Sequence, residues 1–355
     1  MAKLNAYSRL DQTVHRIAFS SRALQLSMAD MEDSMFAKDL AGITVRRPIF
    51  VTALPRAGTT ILLTALAHLP GLATHLYRDM PFLMAPMLWA RLSKGFRKES
   101  ALAERAHGDG IQVGYDSPEA FEEVIWKAFW PGHYREDGIA LWDETARNRE
   151  GEAFLSRHMA KIIALRCGPA GGRYISKNNG NVARLPLLRA IFPDADIVIP
   201  VREPLAHAAS LLRQHENFLR QHAEDPFVRR YMADIGHFEF GALHRPVLFP
   251  DLAARTEGLT PADLDYWLGY WLAAYTHLQR LDSGPIFVSH ERQCTAGRAE
   301  MAALCDRLGL EPGAHLDAVA AEFRPVPERP LPEDAVPAAR LAEARRLYDE
   351  LTLPT

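Results

Sequence analysis

The chain has 355 residues, enough for one large domain with insertions and an ample core. Lys and Arg number 41 against 44 Asp and Glu, for a net charge of −3, which excludes a bulk drive toward nucleic acid or anionic membrane. Cys167, Cys294 and Cys305 show neither CxxC nor metal-ligand spacing and read as reduced, structural thiols. Met1 to Ser20 lacks a signal-peptide core, and no run approaches the roughly 18 apolar residues of a membrane span, so a cytoplasmic location is expected.

Residues 1–41 read as two helical segments, with Leu10, Val14 and Ile17 and then Leu24, Met28, Met31 and Met35 at helical spacing. They are expected to form an extension packed on a core over residues 47–295, with residues 296–355 as a second extension of the same domain. The core opens with the apolar run Pro48-Ile49-Phe50-Val51, then the turn Pro55-Arg56-Ala57-Gly58, then a helix-periodic segment from Thr59 to Leu69. Pro70-Gly71 ends that helix, and 72–76 is expected as a second strand. Asp79 and Arg78 would follow it at the carboxyl edge of the sheet. Arg91, Lys94, Arg97 and Lys98 read as a solvated basic face.

Ser117-Pro118-Glu119 has the composition of a helix start, with Ser117 as cap and Pro118 in the first turn. The aromatics Phe121, Trp126, Phe129, Trp130 and Trp142 follow, as core or as the wall of an acceptor pocket. A helix over 153–166 leads to a strand at 173–176 that ends in Lys177-Asn178-Asn179-Gly180-Asn181. The run 196–201 reads as a buried strand, with Arg202-Glu203-Pro204 leaving it and a helix over 205–219. His222, His237 and His244 have no tight ligand spacing, and no metal site is expected. A helix over 264–281 precedes the last strand, 285–289, which leads to His290-Glu291. Strands alternating with helices give the α/β class, a three-layer fold with a parallel central sheet between helices.

A loop entering a helix N-terminus is an anion site, because its N–H groups and the helix dipole face the ligand. Gly58 permits close backbone approach, Thr59 and Thr60 add hydroxyl donors, and Arg56 adds a fixed charge. The nucleotide pattern G-x-x-x-x-G-K-[ST] is broken twice: Ala53 stands at its first glycine and Thr59 at its lysine. Downstream, Arg202 and Ser210 stand eight positions apart, at a strand's end and two turns into the next helix, as a phosphate fork and a hydroxyl donor.

Pro-Arg-Ala-Gly-Thr-Thr resembles the 5′-phosphosulfate loop of sulfotransferases that use 3′-phosphoadenosine 5′-phosphosulfate (PAPS). Val-Arg-Glu-Pro-Leu-Ala-His-Ala-Ala-Ser is similar to the 3′-phosphate motif of the same enzymes. Phe-Val-Ser-His-Glu resembles their later strand, and the likeness spans roughly residues 47–295. It implies a P-loop-like bacterial sulfotransferase fold and transfer of a sulfuryl group from PAPS, without a metal, to a hydroxyl or amine of a small molecule or glycan. It implies that Arg56, Ala57, Gly58, Thr59 and Thr60 hold the 5′-phosphosulfate, and Arg202 and Ser210 the 3′-phosphate. Lys177 would contact the bridging oxygen or the acceptor. For the general base Asp79 ranks first, His75 second, and Glu122 or Glu123 third. Ile61 replaces an aromatic common after the Thr-Thr pair, and a C-terminal Arg-Lys-Gly segment is missing, which leaves Arg324 or Arg173 to cover the nucleotide. A small-molecule kinase and a non-catalytic nucleotide-binding protein are the alternatives.

Overall fold

The computed structural model describes residues 9–93, 103–104, 112–114, 116–282, 284–324 and 330–353. Seven strands occur among these residues: β1 (Ile49–Val51), β2 (Leu72–Ala73), β3 (Ala103–Glu104), β4 (Gln112–Val113), β5 (Arg173–Lys177), β6 (Asp196–Val201) and β7 (Ile286–Ser289). β3 and β4 form a separate antiparallel pair, while the other five make one sheet in the order β2-β5-β1-β6-β7. Every pairing in that sheet is parallel, with Val51 level with Lys177 on one side and Val198 on the other. β1 is therefore central, and the chain departs from it in both directions. The crevice beyond its carboxyl end is where such sheets bind ligands.

The strands are apolar because helices cover both faces of the sheet. Ile49, Phe50, Val51, Ile197, Val198 and Ile199 are fully buried. On one face, Leu62, Leu63 and Leu66 of the helix Thr59–Ala67 pack with Met301, Leu304 and Leu308 of the helix Gly297–Leu308. On the other, a larger core collects Phe50, Trp126, Leu155, Trp267, Trp271 and Tyr275. At roughly 1.5–3 kcal/mol per large side chain, burial of this kind dominates the folding energy. Among the described residues no helix is long and apolar enough to cross a membrane.

Several expectations need correction. β2 ends at Ala73, so His75 lies in the following loop. The segment from Ser117 does not begin a helix; the helix starts at Glu123. Pro118 instead bridges Leu76 in antiparallel fashion, Tyr77 N–H donates to the Ser117 carbonyl (3.1 Å), and Glu119 N–H donates to the His75 carbonyl (3.1 Å). This pairing satisfies the backbone groups that a helix would otherwise satisfy, and Ser117 Oγ accepts from Gly114 N–H behind it. The aromatics Phe121, Trp126, Phe129, Trp130 and Trp142 are all buried in the core.

The N-terminal helices Arg9–Ala18 and Arg22–Met35 pack on the core, but not through the expected stripe: Ile17, Met31 and Met35 are exposed. Buried charge anchors the second helix instead, with Lys161 Nζ 3.1 Å from Glu32 and 2.5 Å from Asp33. Of the basic run, Arg91 is exposed at the end of the helix Pro86–Leu92, while Lys94, Arg97 and Lys98 lie outside the described residues.

Candidate active site

The loop after β1 is held in an unusual shape. Gly58, the N-cap of the helix Thr59–Ala67, has φ 97°, and Arg56, which carries a side chain, has φ 73°. A left-handed residue with a Cβ costs on the order of 1–2 kcal/mol, so other contacts must hold Arg56. They come from β6 and the helix after it. The Arg202 guanidinium donates to the Arg56 carbonyl (3.2 Å), and Arg56 Nε donates to Ser210 Oγ (3.4 Å). His207, one turn before Ser210, donates from Nε2 to the Pro55 carbonyl (2.8 Å). Burial pulls the His207 imidazole down to about 3, so it is neutral at pH 7. Glu203 caps the helix Pro204–Glu224 by accepting from Ala206 N–H at 2.7 Å.

The far side of the loop rests on His290, the residue after β7. A Cβ at Gly58 would lie 2.5 Å from His290 Nδ1. Burial, together with the nearby Arg202 and Arg56 charges, lowers His290 to about 4, against the pull of Glu291. Glu291 accepts from Glu203 N–H (2.9 Å) and from the Tyr348 hydroxyl (2.7 Å), so the helix Ala338–Thr352 is fastened to the Arg202–Glu203 corner. Gly58→Ala combines a disfavoured φ with this clash. It is expected to lower the melting temperature by several degrees and to weaken anion binding at the loop, read by differential scanning calorimetry with and without nucleotide.

A cleft of about 530 Å³ opens over the loop, and its lining includes Arg56, Thr59, Thr60, Glu119, Lys177 and Asn179. Lys177 closes β5, and Asn179 follows it, accepting from Thr59 Oγ1 (3.3 Å) and donating to Glu239 (3.3 Å). Phe218 and Phe240, with parallel rings 6.1 Å apart, add carbon surface to this cleft. Among the described residues no group of His, Cys, Asp and Glu is arranged to hold a metal ion.

The fold brings Arg56, Thr59, Thr60 and Lys177 to the cleft lining, with Ala57 and Gly58 in the same loop and Arg202 and Ser210 bonded to Arg56 outside that lining. It does not bring Asp79 or His75 to the cleft lining. Asp79 is buried, with both carboxylate oxygens 2.5 Å from an Arg166 guanidinium nitrogen and one accepting from Leu76 N–H. His75 lies in the core, its Nε2 2.7 Å from that of His158, and burial lowers it to about 4. Glu122 accepts from Trp126 Nε1 (2.8 Å) and the Tyr174 hydroxyl (3.0 Å), while Glu123 pairs with Arg184 and accepts from Asn178 (2.7 Å). Arg173 stands at the amino end of β5, donating to the Leu308 carbonyl and paired with Asp196, on the edge opposite the cleft. Arg324 is exposed and outside the cleft lining, and Ile61 packs against the smaller core.

Sequence reasoning missed Glu119, Asn179, His237 and Glu239, which all line the cleft. Glu119 takes the place beside β2 where Asp79 was expected. Its carboxylate accepts from the Tyr77 hydroxyl (2.5 Å) and from Ala120 N–H (2.7 Å). The signal was present as a Pro-Glu pair, but its composition matches a helix start equally well.

A central parallel strand followed by a left-handed loop at a helix N-terminus, within a five-stranded parallel sheet, defines an α/β protein of the P-loop-like class. A profile of the sulfotransferase family matches residues 48–245, more than half of the chain, and the chain belongs to that family. Among solved structures, it is similar to the sulfotransferase STF9 of Mycobacterium avium, at 13% identity and a TM-score of 0.51, covering 91% of this chain and 82% of that one. It is also similar to the sulfotransferase STF1 of Mycobacterium tuberculosis H37Rv, at 14% identity and a TM-score of 0.48, over 88% and 81% of the two chains. No curated protein sequence matches the chain.

Proposed function

We propose that this sulfotransferase takes PAPS as donor and transfers its sulfuryl group to an acceptor hydroxyl or amine. The observation that carries the reading is the meeting of Arg56, Arg202 and Ser210 at a left-handed loop on a helix N-terminus. The donor set fits two separated anionic groups: two guanidinium groups, the Thr59 and Thr60 hydroxyls, and the loop N–H groups, with no lysine after Gly58. Arg56, Ala57, Gly58, Thr59 and Thr60 would hold the 5′-phosphosulfate, and Arg202 and Ser210 the 3′-phosphate. The bound donor supplies an activated sulfuryl group with a phosphate leaving group.

The chain's own residues position the groups, neutralise charge and take a proton. Lys177, beside the loop, meets the charge that grows on the leaving oxygen. Glu119 is the general base: it lines the same cleft, and its Tyr77 and Ala120 hydrogen bonds fix its orientation. The acceptor oxygen forms a bond to sulfur as the sulfur–phosphate oxygen bond breaks. The leaving phosphate keeps that electron pair, and the acceptor proton passes to Glu119.

The test is thermal stabilisation. 3′-Phosphoadenosine 5′-phosphate (PAP) at about 100 times its Kd is expected to stabilise the protein by about 2.7 kcal/mol, whereas ATP with Mg²⁺ gives a much smaller shift. The opposite order supports a kinase and removes the reading.

A further inference from the structure

His207 is fully buried in the helix Pro204–Glu224. Its surroundings are largely apolar: Leu205, Ala208 and Leu211 are buried beside it in the helix, and its ring meets the Tyr275 ring edge-on at 6.3 Å. The Pro55 carbonyl can only accept, so the proton of the neutral imidazole sits on Nε2, which donates to it. Nδ1 is then a bare acceptor, and it has no partner among the described residues. A buried polar atom left in that state is destabilising, and an aliphatic side chain at this position would avoid it. What the imidazole adds over such a side chain is one uncharged N–H, near the Arg56 and Arg202 charges, aimed at a single carbonyl.

That carbonyl decides which way the loop's dipoles face. The peptide between Pro55 and Arg56 is planar and trans, so its C=O and N–H point in opposite directions. With the Pro55 carbonyl turned toward His207, the Arg56 N–H is turned away from that helix. The next peptide is fixed in the same manner: Arg202 donates to the Arg56 carbonyl, which turns the Ala57 N–H away from Arg202. Arg56 and Gly58 are both left-handed, and successive N–H groups around such residues form a concave anion seat. A flip of the Pro55–Arg56 peptide would put a carbonyl oxygen where the N–H stands. We propose that His207 is a positioning residue of the donor site: it holds the Pro55–Arg56 peptide in the one orientation that offers an N–H, and not a carbonyl, to the 5′ anionic group. The inference rests on the reading of the loop as the seat of the PAPS 5′-phosphosulfate. It adds that the unpartnered Nδ1 is tolerated because the ligand needs the loop in this shape, so affinity and stability part company at this position.

The experiment is titration calorimetry of the full chain with PAP and with adenosine 3′-phosphate, which lacks the 5′ group, beside thermal unfolding of the ligand-free protein. His207→Leu is expected to weaken PAP about tenfold, or about 1.4 kcal/mol, and adenosine 3′-phosphate less than about twofold. Its melting temperature should stay within about 4 °C of wild type, because removal of the orphaned nitrogen offsets the lost hydrogen bond. His207→Gln, whose amide N–H donates without charge, is expected to restore PAP affinity to within about threefold of wild type. A folded leucine variant that binds PAP like wild type overturns the inference. So do equal losses for the two nucleotides, and so does a folded glutamine variant as weak as the leucine one. Should His207→Leu fail to fold, His207→Val takes its place, and failure of both shows a structural role and overturns the inference. Absence of PAP binding by the wild-type chain is a different failure, and strikes the donor reading itself.

Discussion

Arg202→Ala is expected to weaken PAP binding by roughly 30- to 150-fold, or about 2–3 kcal/mol, while adenosine 5′-phosphate, which lacks the 3′-phosphate, loses much less. Arg202 follows the carboxyl end of β6 and donates to the Arg56 carbonyl, so it braces the loop besides its proposed role at the 3′-phosphate. The two roles separate in the measurement. Loss of the brace weakens both nucleotides equally, through the strained loop. Loss of a 3′-phosphate partner weakens only the 3′-phosphorylated one. Titration calorimetry with both nucleotides on wild type and variant gives the difference directly, and equal losses remove Arg202 from the 3′-phosphate role. Ser210→Ala should show the same bias with a smaller amplitude, because a neutral hydroxyl bond contributes about 0.5–1.5 kcal/mol.

Glu119→Gln is expected to lower kcat by about 10²–10⁴-fold with PAP affinity nearly unchanged. Glutamine keeps the shape: its one carbonyl oxygen accepts from Ala120 N–H and its amide N–H donates to the Tyr77 hydroxyl oxygen, but it cannot take the acceptor proton. Asp79→Asn is the informative contrast. Asp79 is buried against Arg166, and neutralising one member of a buried pair costs about 3–5 kcal/mol. That variant should lose stability in urea, and what remains folded should keep its turnover. A fully folded Asp79→Asn protein without activity, beside an active Glu119→Gln protein, restores Asp79 as the base. Steady-state kinetics and urea denaturation on both variants decide between the two carboxylates.

The contrast between Glu119 and Asp79 shows what the amino-acid sequence carries and what it does not. The parallel strands were legible because Ile49–Val51, Asp196–Val201 and Ile286–Ser289 are short apolar runs followed by polar residues at their carboxyl ends. The loop was legible because glycine, arginine and two threonines at a strand-to-helix junction have a local physical meaning. Arg202 and Ser210 needed only their spacing along one strand-helix unit. The surroundings of Asp79 and Glu119 were not legible, because both carboxylates stand near β2. Nothing local reveals that Arg166, 87 residues away in sequence, claims Asp79. Nothing local shows that residues 117–119 pair with the loop after β2. The tertiary pairing overrides a plausible helix signal. The methionines of the N-terminal helix failed similarly: spacing marked Met31 and Met35 as inward, but the buried Glu32–Lys161 pair sets which face turns in.

The fastening of Tyr348 to Glu291 has a consequence in time as well as space. Arg56 precedes Tyr348 by nearly the whole of the core, yet the Arg202–Glu203 corner that braces its loop is tied down by the helix Ala338–Thr352. On the ribosome that helix emerges after every residue of the cleft over the loop has been made. The sheet and the loop after β1 can be in place while the corner beneath them is still loose. A nascent chain that stops short of Tyr348 therefore carries the loop without this fastening.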